Sequence, residues 1–355
     1  VNKSRIQTIS SEENNMSARI LQRATLYVLG LEDPAGGAVP PYYKIGITTD
    51  TVAKRIRQLQ TGNPYRIISL HTFEIEGAEI VEQNLHRVYA QNRRVLEWFE
   101  LSDAELAAVL QSAKDFKDDI EALVVEVRDL DQQYSNDTML NPTAEATDLH
   151  LQAVDLEGHK TQNSLRIATM RSSLARITGT TRGIEGITQV SITNPSPGFS
   201  RRELKSADPD LYKDYLTIPE FKVSVKILDK PTPGNYPNLV ADKNQAAAAA
   251  PNVDPKDVTY DKESRTTDAV QLHSEYIDLV SQGGAIDRDL MLVKMKLKIL
   301  CGQARGIDGI FEYVREDRMT FDEVSFEADN PALYAQFTVQ RQPQRRFAVM
   351  KSRDY

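Results

Sequence analysis

The order of short strand patterns and amphipathic helix patterns between residues 24 and 118 limits the folds that this chain can adopt. β-Rich runs predict strands at 24–31, 42–48 and 66–75. Apolar residues at helical spacing predict helices at 51–60, 78–92 and 102–116. Proline and glycine separate the first two strands, so we expect these strands to pair as a hairpin. The sequence therefore predicts an α+β unit in which a small antiparallel sheet is flanked by helices.

The segment YYKIGITTDTVAKRIRQLQT at 42–61 concentrates positive charge in a chain whose formal net charge is −8. It carries Lys44, Gly46, Arg55 and Arg57 on one strand and the helix that follows. A strand, a turn and a solvated helix face would explain this pattern, and so would a site that handles phosphate. The acidic chain argues against coating of nucleic acid by the whole surface, but phosphate is bound by local patches. We favour the phosphate site.

Composition and motif content exclude several other classes of protein. No apolar run approaches the ~18 residues of a membrane span, and the first residues lack the apolar core of a signal peptide. The single cysteine, Cys301, allows no intrachain disulfide framework. We therefore expect a cytoplasmic protein without membrane contact. The sequence holds no P-loop, dinucleotide fingerprint, zinc-ligand spacing or nucleophile elbow, so an enzyme unrelated to nucleic acid has no support.

Five short motifs follow one another between residues 24 and 101. They are Thr25-Leu26-Tyr27, KIGIT at 44–48, RQLQTGNP at 57–64, Glu82 with His86, and Glu97-Trp98-Phe99. In this order they resemble the GIY-YIG nuclease superfamily, and within it the phage and bacterial branch with the patterns K-I-G-x-T, T-G-N-P, E-x-x-x-H and E-W-F. The resemblance implies a GIY-YIG-like fold and hydrolysis of phosphodiester bonds in DNA. It also implies an origin in a phage or mobile element, and for a phage protein the compartment is the host cytoplasm.

The resemblance implies roles for particular residues. Tyr27 takes the place of the general base, Arg55 that of the residue supporting the scissile phosphate, and Glu82 that of the ligand of one Mg²⁺ or Mn²⁺. A carboxylate suits Mg²⁺, which keeps several waters and takes one or two protein oxygens. Gly46 is expected to let the backbone turn closely beside the substrate. Arg57 is expected to be a further contact with phosphate or DNA.

Three positions depart from the family pattern or add to it. Lys44 replaces the tyrosine of the second motif, as in some restriction-enzyme members, so either Lys44 or Tyr27 can be the base. His86 lies one helical turn beyond Glu82 and can face the same site, as a proton shuttle, a phosphate donor or a packing residue. The late asparagine of many members has no clear counterpart, and Glu97 stands near its place.

A degenerate repeat occupies the rest of the chain. LARITGTTRGIEGITQV at 174–190 parallels LKILCGQARGIDGIFEY at 297–313, and the residues near 203–215 parallel those near 325–337, at offsets of 123 and 122. We predict two repeated helix-plus-β-hairpin modules packed together. The predicted domains are a flexible segment at 1–23, a nuclease-like domain at 24–118, a connecting segment at 119–146, repeat modules at 147–228 and 267–355, and a linker at 229–266.

The repeated module resembles the tail that follows the nuclease core in YqaJ-type phage recombination exonucleases. The shared patterns are G-x-x-x-G before a strand, L-K-x-x-x-P-x-L-Y, and R-x-F near the end. The catalytic carboxylate pattern of those exonucleases is missing here, so no catalytic role is carried over. The resemblance implies attachment to DNA or to a protein partner, with Arg201-Arg202 and Arg345-Arg346 as basic pairs that can contact phosphate.

Two functions follow from these patterns. The first is a metal-dependent DNA endonuclease whose duplicated module targets DNA or a partner. The second is a catalytically silent, nuclease-like protein that binds DNA or acts as a scaffold. The joint presence of Tyr27, Arg55 and Glu82 favours the first, whereas Lys44 in place of tyrosine and the acidic balance favour the second. The sequence does not define an oligomeric state.

Overall fold

The structure, a computed structural model, describes residues 23–131, 133, 136–194 and 196–350. Residues 1–22, which the sequence predicts to be flexible, and residues 351–355 at the end of the second predicted module lie outside the described residues. The chain divides into two compact units. The first contains the residues up to Gln133 together with Met291–Gln303, and the second contains the residues from 134 to 290 and from 304 onward.

Among the residues described, the first unit is built on a five-stranded antiparallel sheet with the order β3-β1-β2-β5-β4. Its strands are β1 Arg23–Glu32, β2 Tyr42–Thr48, β3 Arg66–Glu76, β4 Arg93–Val95 and β5 Trp98–Glu100. The first two form the expected hairpin. The predicted α+β class with a small antiparallel sheet is thus confirmed. The hairpin of β4 and β5 was not predicted, because strands of three residues carry no detectable alternation.

Three helices of the first unit follow the predicted order. They are α1 Val52–Gln60, α2 Ala78–Val88 and α3 Asp103–Asp131. Ser102 and Glu105 begin α3 as a capping box: the Ser102 backbone N–H donates to the Glu105 carboxylate at 2.8 Å, and the Glu105 N–H donates to the Ser102 hydroxyl at 3.3 Å. Helix α3 continues past residue 118, the predicted end of the domain, because its buried residues continue at helical spacing to Val127.

One apolar core holds the sheet and helices of the first unit together. Helix α2 contributes a buried face, and α3 contributes buried residues at helical spacing along its whole length. The members from α2 and α3 are Ala78, Ile80, Val81, Leu85, Val109, Ala113, Ile120, Val124 and Val127. Met295, from the segment 291–303, packs in the same core. This core fixes α2 against the sheet and so sets the position of Glu82.

The second unit combines long and short helices with paired strands. Its helices are α4 Ala144–Thr178, α5 Arg201–Ala207, α6 Pro209–Asp214, α7 Pro237–Ala249, α8 Thr267–Cys301 (whose last residues belong to the first unit), α9 Glu323–Asp329 and α10 Pro331–Gln336. Its strands are β6 Met139–Leu140, β7 Thr188–Thr193, β8 Gly198–Phe199, β9 Leu216–Ile227, β10 Gly306–Ile307, β11 Phe311–Phe321, β12 Thr338–Val339 and β13 Gln344–Val349. In the part of the chain that the structure describes, no helix combines the length and apolarity needed to cross a membrane.

The segment predicted as a linker contains α7. Pro237 occupies the first turn of this helix, where its missing N–H costs nothing. The helix takes in most of the alanine run and ends at Ala249, two residues before Pro251. Helix α7 packs along α4.

The two repeats exchange their strands. Strand β7 of the first repeat pairs with β13 of the second, and β11 of the second pairs with β9 of the first. The registers of the two pairs are equivalent. Thr188 lies opposite Val349 in one pair, and Phe311 lies opposite Ile227 in the other. Phe311 follows Thr188 by 123 residues, and Val349 follows Ile227 by 122, which are the offsets of the repeat. Neither repeat completes a sheet alone, so each depends on the other for its backbone hydrogen bonds.

The glycine turns of the two repeats share two positions with positive φ. Gly179 and Gly302 follow the two long helices with φ of +54° and +57°, and Gly186 and Gly309 both have φ of +69°. Residues with a side chain adopt this left-handed region at a cost. The repeated glycines therefore reflect a repeated backbone requirement.

An aromatic cluster joins the two repeats. Phe199 stacks on Tyr334 of the second repeat with 4.8 Å between ring centroids, and Phe321 stacks on Tyr212 of the first at 4.9 Å. These two pairs are equivalent by the offset of 122. Phe326, fully buried, contacts both phenylalanines at 5.3 Å. The cluster is shared, so its loss weakens both repeats.

We expect Phe326→Ala to reduce the free energy of unfolding of the second unit by about 3–5 kcal/mol, the usual cost of truncating a buried phenylalanine. Val324→Ala on the same helix is the control, because Val324 is 79% exposed, and it should change that free energy by no more than about 0.5 kcal/mol. Urea unfolding followed by circular dichroism measures both. Equal losses in the two variants would contradict the shared core.

Candidate active site

The register of β1 and β2 places Tyr27 directly opposite Gly46. The Tyr27 side chain is fully buried and lies across the Gly46 backbone. A Cβ atom at position 46 would lie 2.6 Å from the Tyr27 hydroxyl oxygen, too close for any side chain. The residue at 46 must therefore be glycine for the tyrosine to keep its place. Glycine was expected here to allow a backbone turn beside the substrate, whereas in the structure it makes room for the Tyr27 ring.

Helix α1 presents Arg55 to this tyrosine. Thr51 caps the helix by accepting a hydrogen bond from the Lys54 N–H. Arg55, one turn into the helix, donates from Nε to the Tyr27 hydroxyl at 3.3 Å. Arg57 is exposed. The structure thus separates the two arginines that the sequence leaves in competition, and only Arg55 reaches the buried cluster.

Lys44 is almost fully buried, with 4% of its surface exposed. Its Nζ lies 2.5 Å from a carboxylate oxygen of Glu97. Glu97 sits in the two-residue turn between β4 and β5, next to Leu96 with φ of +52°. The Glu97 carbonyl also accepts a hydrogen bond from the Ile45 N–H at 3.2 Å. These two contacts tie the turn to β2 and give the buried lysine a counter-charge.

Glu82 lies on the face of α2 that packs against the sheet and is 7% exposed. Burial, followed by the negative charges of Glu97 and Glu79, raises the pKa of Glu82 to about 7. Lys44 acts in the opposite direction. The raised pKa means that the positive charge around Glu82 does not balance the negative charge of its ionised carboxylate. Among the described residues, no group of three or more His, Cys, Asp or Glu side chains is arranged to hold a metal ion.

His86 is buried one turn beyond Glu82, and both of its ring nitrogens are engaged. Nε2 lies 3.0 Å from the Ile45 carbonyl oxygen, and Arg93 Nη2 lies 2.8 Å from Nδ1. Because the arginine can only donate, Nδ1 accepts and Nε2 carries the proton. Burial is the main cause that lowers the pKa of His86 to about 4. A neutral imidazole with two partners holds α2, β2 and Arg93 together, which favours a positioning role over proton transfer.

Arg93 and Glu97 belong to this cluster; the sequence placed Glu97 near the position of the family's asparagine and did not single out Arg93. The Arg93 guanidinium lies 5.5 Å from the centre of the Phe99 ring, and the His86 ring lies 5.1 Å from the same ring. The signal that pointed to this region was the Glu97-Trp98-Phe99 motif. No local pattern marks Arg93, which reaches His86 only because the β4–β5 hairpin folds back.

The electrostatics of Tyr27 depend on the same charges. Burial raises the pKa of Tyr27, while the hydrogen bond and charge of Arg55 lower it in part. The hydrogen bond to Tyr27 is the first cause that raises the pKa of Arg55. At neutral pH the pair is therefore a neutral phenol and a charged guanidinium. The structure brings Tyr27, Lys44, Arg55, Glu82 and His86 of the predicted set around β2.

A comparison with family models finds the T5orf172 domain at residues 24–114, about a quarter of the chain. This is a phage-associated, nuclease-like domain. The matched residues include the whole cluster around β2. The GIY-YIG and YqaJ resemblances have no family match of their own. No curated protein and no solved structure matches the chain.

The opposite pKa shifts of Glu82 and His86 predict a pH-dependent difference between two variants. The folded-state pKa of Glu82 is raised from 4.5 to about 7, so its contribution to stability is present at low pH and is lost as pH rises through 7. The pKa of His86 is lowered from 6.5 to about 4, so its contribution is present above 6.5 and is lost as pH falls towards 4. Between about pH 8 and pH 5 each effect amounts to about 2 kcal/mol.

Relative to wild type, we expect Glu82→Gln to lose stability on acidification over this range and His86→Gln to gain it. Trp98 is the only tryptophan of the chain and lies in the first unit, so its fluorescence during urea unfolding reports on this unit. If both variants follow the wild-type pH profile, the two groups do not have the assigned environments.

Proposed function

We propose that the unit at 24–114 is a metal-dependent DNA endonuclease that hydrolyses phosphodiester bonds. The observation that carries this proposal is the convergence of a tyrosine–arginine pair, a lysine–glutamate pair and a buried glutamate around β2. Hydrolysis of a phosphodiester needs an activated water, neutralisation of the phosphate charge and stabilisation of the leaving oxygen. The cluster holds a group suited to each of these tasks. The T5orf172 match supports the same class.

Arg55 is the phosphate ligand in this proposal. Its guanidinium is charged, half-buried and anchored through Nε, which leaves the two terminal nitrogens for substrate. One of them contacts Gln58 at 3.3 Å, an exposed interaction that a phosphate can displace. A guanidinium matches the geometry of two phosphate oxygens.

Glu82 is the metal ligand. Its carboxylate is buried near Glu97 and its pKa is raised, so a bound cation would relieve the deficit of positive charge. One carboxylate with waters is a donor set that Mg²⁺ or Mn²⁺ accepts. The metal would supply positive charge to the scissile phosphate. Glu97 stays with Lys44 and keeps the lysine oriented towards β2.

Tyr27 is the residue best placed to exchange a proton with the attacking water. Its hydroxyl accepts a hydrogen bond from Arg55, so its own proton is free to be directed elsewhere. Arg55 also lowers the pKa of Tyr27, whereas Glu97 and Glu82 raise it. Neutralising those two carboxylates therefore lowers the pKa of Tyr27 and favours loss of its proton, and the resulting tyrosinate can accept a proton from the attacking water. Lys44 stays paired with Glu97 and acts as an electrostatic partner.

A second function is favoured by one observation. Tyr27 and Lys44 are 0% and 4% exposed, so these two side chains are closed to solvent. A buried tyrosine and lysine suit a nuclease-like domain that binds DNA without cutting it. The two functions differ in one outcome: the first predicts nicked plasmid, because a single site cuts one strand at a time, and the second predicts binding alone.

The comparison of Arg55→Ala with Arg57→Ala tests the endonuclease. Both variants lose one arginine from α1, but only Arg55 touches Tyr27. We expect Arg55→Ala to slow the nicking of supercoiled plasmid in Mg²⁺ by about 100-fold or more, the effect of removing one oriented donor to a reacting group. Arg57→Ala should reduce the rate by less than about tenfold, through weaker binding of DNA.

Gel electrophoresis of the nicked and supercoiled forms measures both rates, with circular dichroism to verify folding. Equal effects of the two substitutions would contradict the role of Arg55. Tight binding of DNA by wild type without nicking in Mg²⁺ or Mn²⁺ would establish the second function instead.

A further inference from the structure

A cavity of about 640 Å³ opens in the second unit. Its lining residues are distant in sequence from the cluster around β2 and differ from it in composition. It lies beside β8 and the start of α5, and its walls carry three arginines and one carboxylate. They are Arg201, Arg202, Arg341 and Glu323. The formal charge of the cavity is therefore positive in a chain that is acidic as a whole.

The four charged residues are not equivalent. Arg201 donates from Nε and Nη2 to one oxygen of Glu323, at 3.1 and 2.9 Å, and the Tyr334 hydroxyl donates to the other oxygen at 3.2 Å. Arg202 and Arg341 are exposed, and no carboxylate of the described residues lies within ion-pair distance of either. These two guanidinium groups are left for a ligand.

The duplication supplies an internal comparison. Phe199 of the first repeat pairs with Thr338 of the second, and Phe321 of the second pairs with Leu216 of the first, so residues 122 apart occupy equivalent places. By this offset Arg202 corresponds to Val324 and Arg341 corresponds to Pro219. Val324 lies on α9 as Arg202 lies on α5, so the second repeat builds this helix without arginine at that position. Pro219 lies within β9, whereas Arg341 lies between β12 and β13, so the backbones of the two repeats differ at this position.

The Arg201–Glu323 ion pair has a different explanation. The two residues are 122 apart, so each occupies the same place in its own repeat. They meet where the interlocked repeats meet. This pair belongs to the joint between the repeats, and the ligand-binding role rests on Arg202 and Arg341 alone.

Gly198 has a specific relation to Arg341. A Cβ atom at position 198 would overlap the Arg341 guanidinium, so this side chain can lie against β8 only because the residue there is glycine. Glycine weakens a strand. The equivalent residue in the other copy is Thr320, which has a Cβ. Gly198 of the first repeat and Arg341 of the second thus occur together at the strand pair that borders the cavity. By the same offset, Thr320 and Pro219 take their places at the other strand pair.

We propose that this cavity binds a backbone phosphate of DNA through Arg202 and Arg341, outside the cleavage site. Guanidinium groups match the oxygens of phosphate in charge and geometry. The choice of DNA as the source of that phosphate rests on the proposed function of the first unit. The second unit then holds the DNA while the first unit cuts it.

The test is the affinity of the full chain for a short fluorescein-labelled DNA duplex, measured by anisotropy in EDTA so that no cleavage occurs. Arg202→Ala/Arg341→Ala removes both proposed ligands. Arg166→Ala/Arg176→Ala is the matched control, since both arginines are exposed on α4 and lie outside the cavity. We expect the cavity variant to bind at least about tenfold more weakly. The slope of log Kd against log salt, between about 50 and 200 mM, should fall by about 1 for the loss of one neutralised phosphate.

Gly198→Thr provides a second variant that keeps both arginines. It introduces the residue of the other repeat and displaces the Arg341 guanidinium from β8. We expect it to weaken DNA binding as much as Arg341→Ala does. Wild-type affinity in Gly198→Thr would overturn the placement of Arg341.

The proposal is overturned if the cavity variant matches the control in affinity and in salt slope. Its failure is distinct from failure of the endonuclease. If wild type nicks plasmid and the cavity variant equals the control, only the cavity assignment is lost. If wild type binds through the cavity arginines and does not nick, the cavity stands and the endonuclease fails. With both correct, the cavity variant keeps kcat and has a raised KM.

Discussion

The antiparallel register of β1 and β2 is the constraint on which the first unit depends. It sets Tyr27 across from Gly46, and the missing side chain at 46 is what admits the tyrosine ring. Arg55 then has a buried hydroxyl to contact. A shift of one residue would turn Tyr27 to the other face of the sheet and disperse the cluster. The chemistry proposed for this unit is therefore a consequence of strand pairing.

Two ionisable groups around β2 have pKa values shifted in opposite directions. Burial pushes Glu82 towards its protonated form and His86 towards its neutral form, so the two groups respond to acid in opposite directions. Lys44 and Glu97 offset each other's charge at 2.5 Å. A cluster of this kind carries a cost in folding that a purely apolar core avoids. Perturbed carboxylates next to oriented cations are typical of functional sites.

The regular elements between residues 24 and 116 could be predicted because alternation, helical spacing and turn residues all mark them. The β4–β5 hairpin could not, since each strand has only three residues and β4 is exposed and mostly charged. The contact of Arg93 with His86 depends on that hairpin, so it could not be predicted either. The repeat in the sequence predicted two similar modules, and residues separated by the repeat offset of 122 or 123 occupy equivalent positions in the strand registers. Sequence similarity alone could not show that each repeat pairs its strands with the other, because both pairings satisfy the same pattern.

Nicking of supercoiled plasmid by wild type and by Glu82→Ala, in Mg²⁺ and in Mn²⁺, tests the central claim most directly. Glu126→Ala is the control, because Glu126 is an exposed carboxylate on α3 of the same unit. The account predicts that wild type and the control nick at similar rates and that Glu82→Ala is at least about 100-fold slower, the usual effect of removing one electrostatic contributor to the transition state. Nicking by Glu82→Ala at the wild-type rate, or no nicking by wild type with either metal, would contradict it.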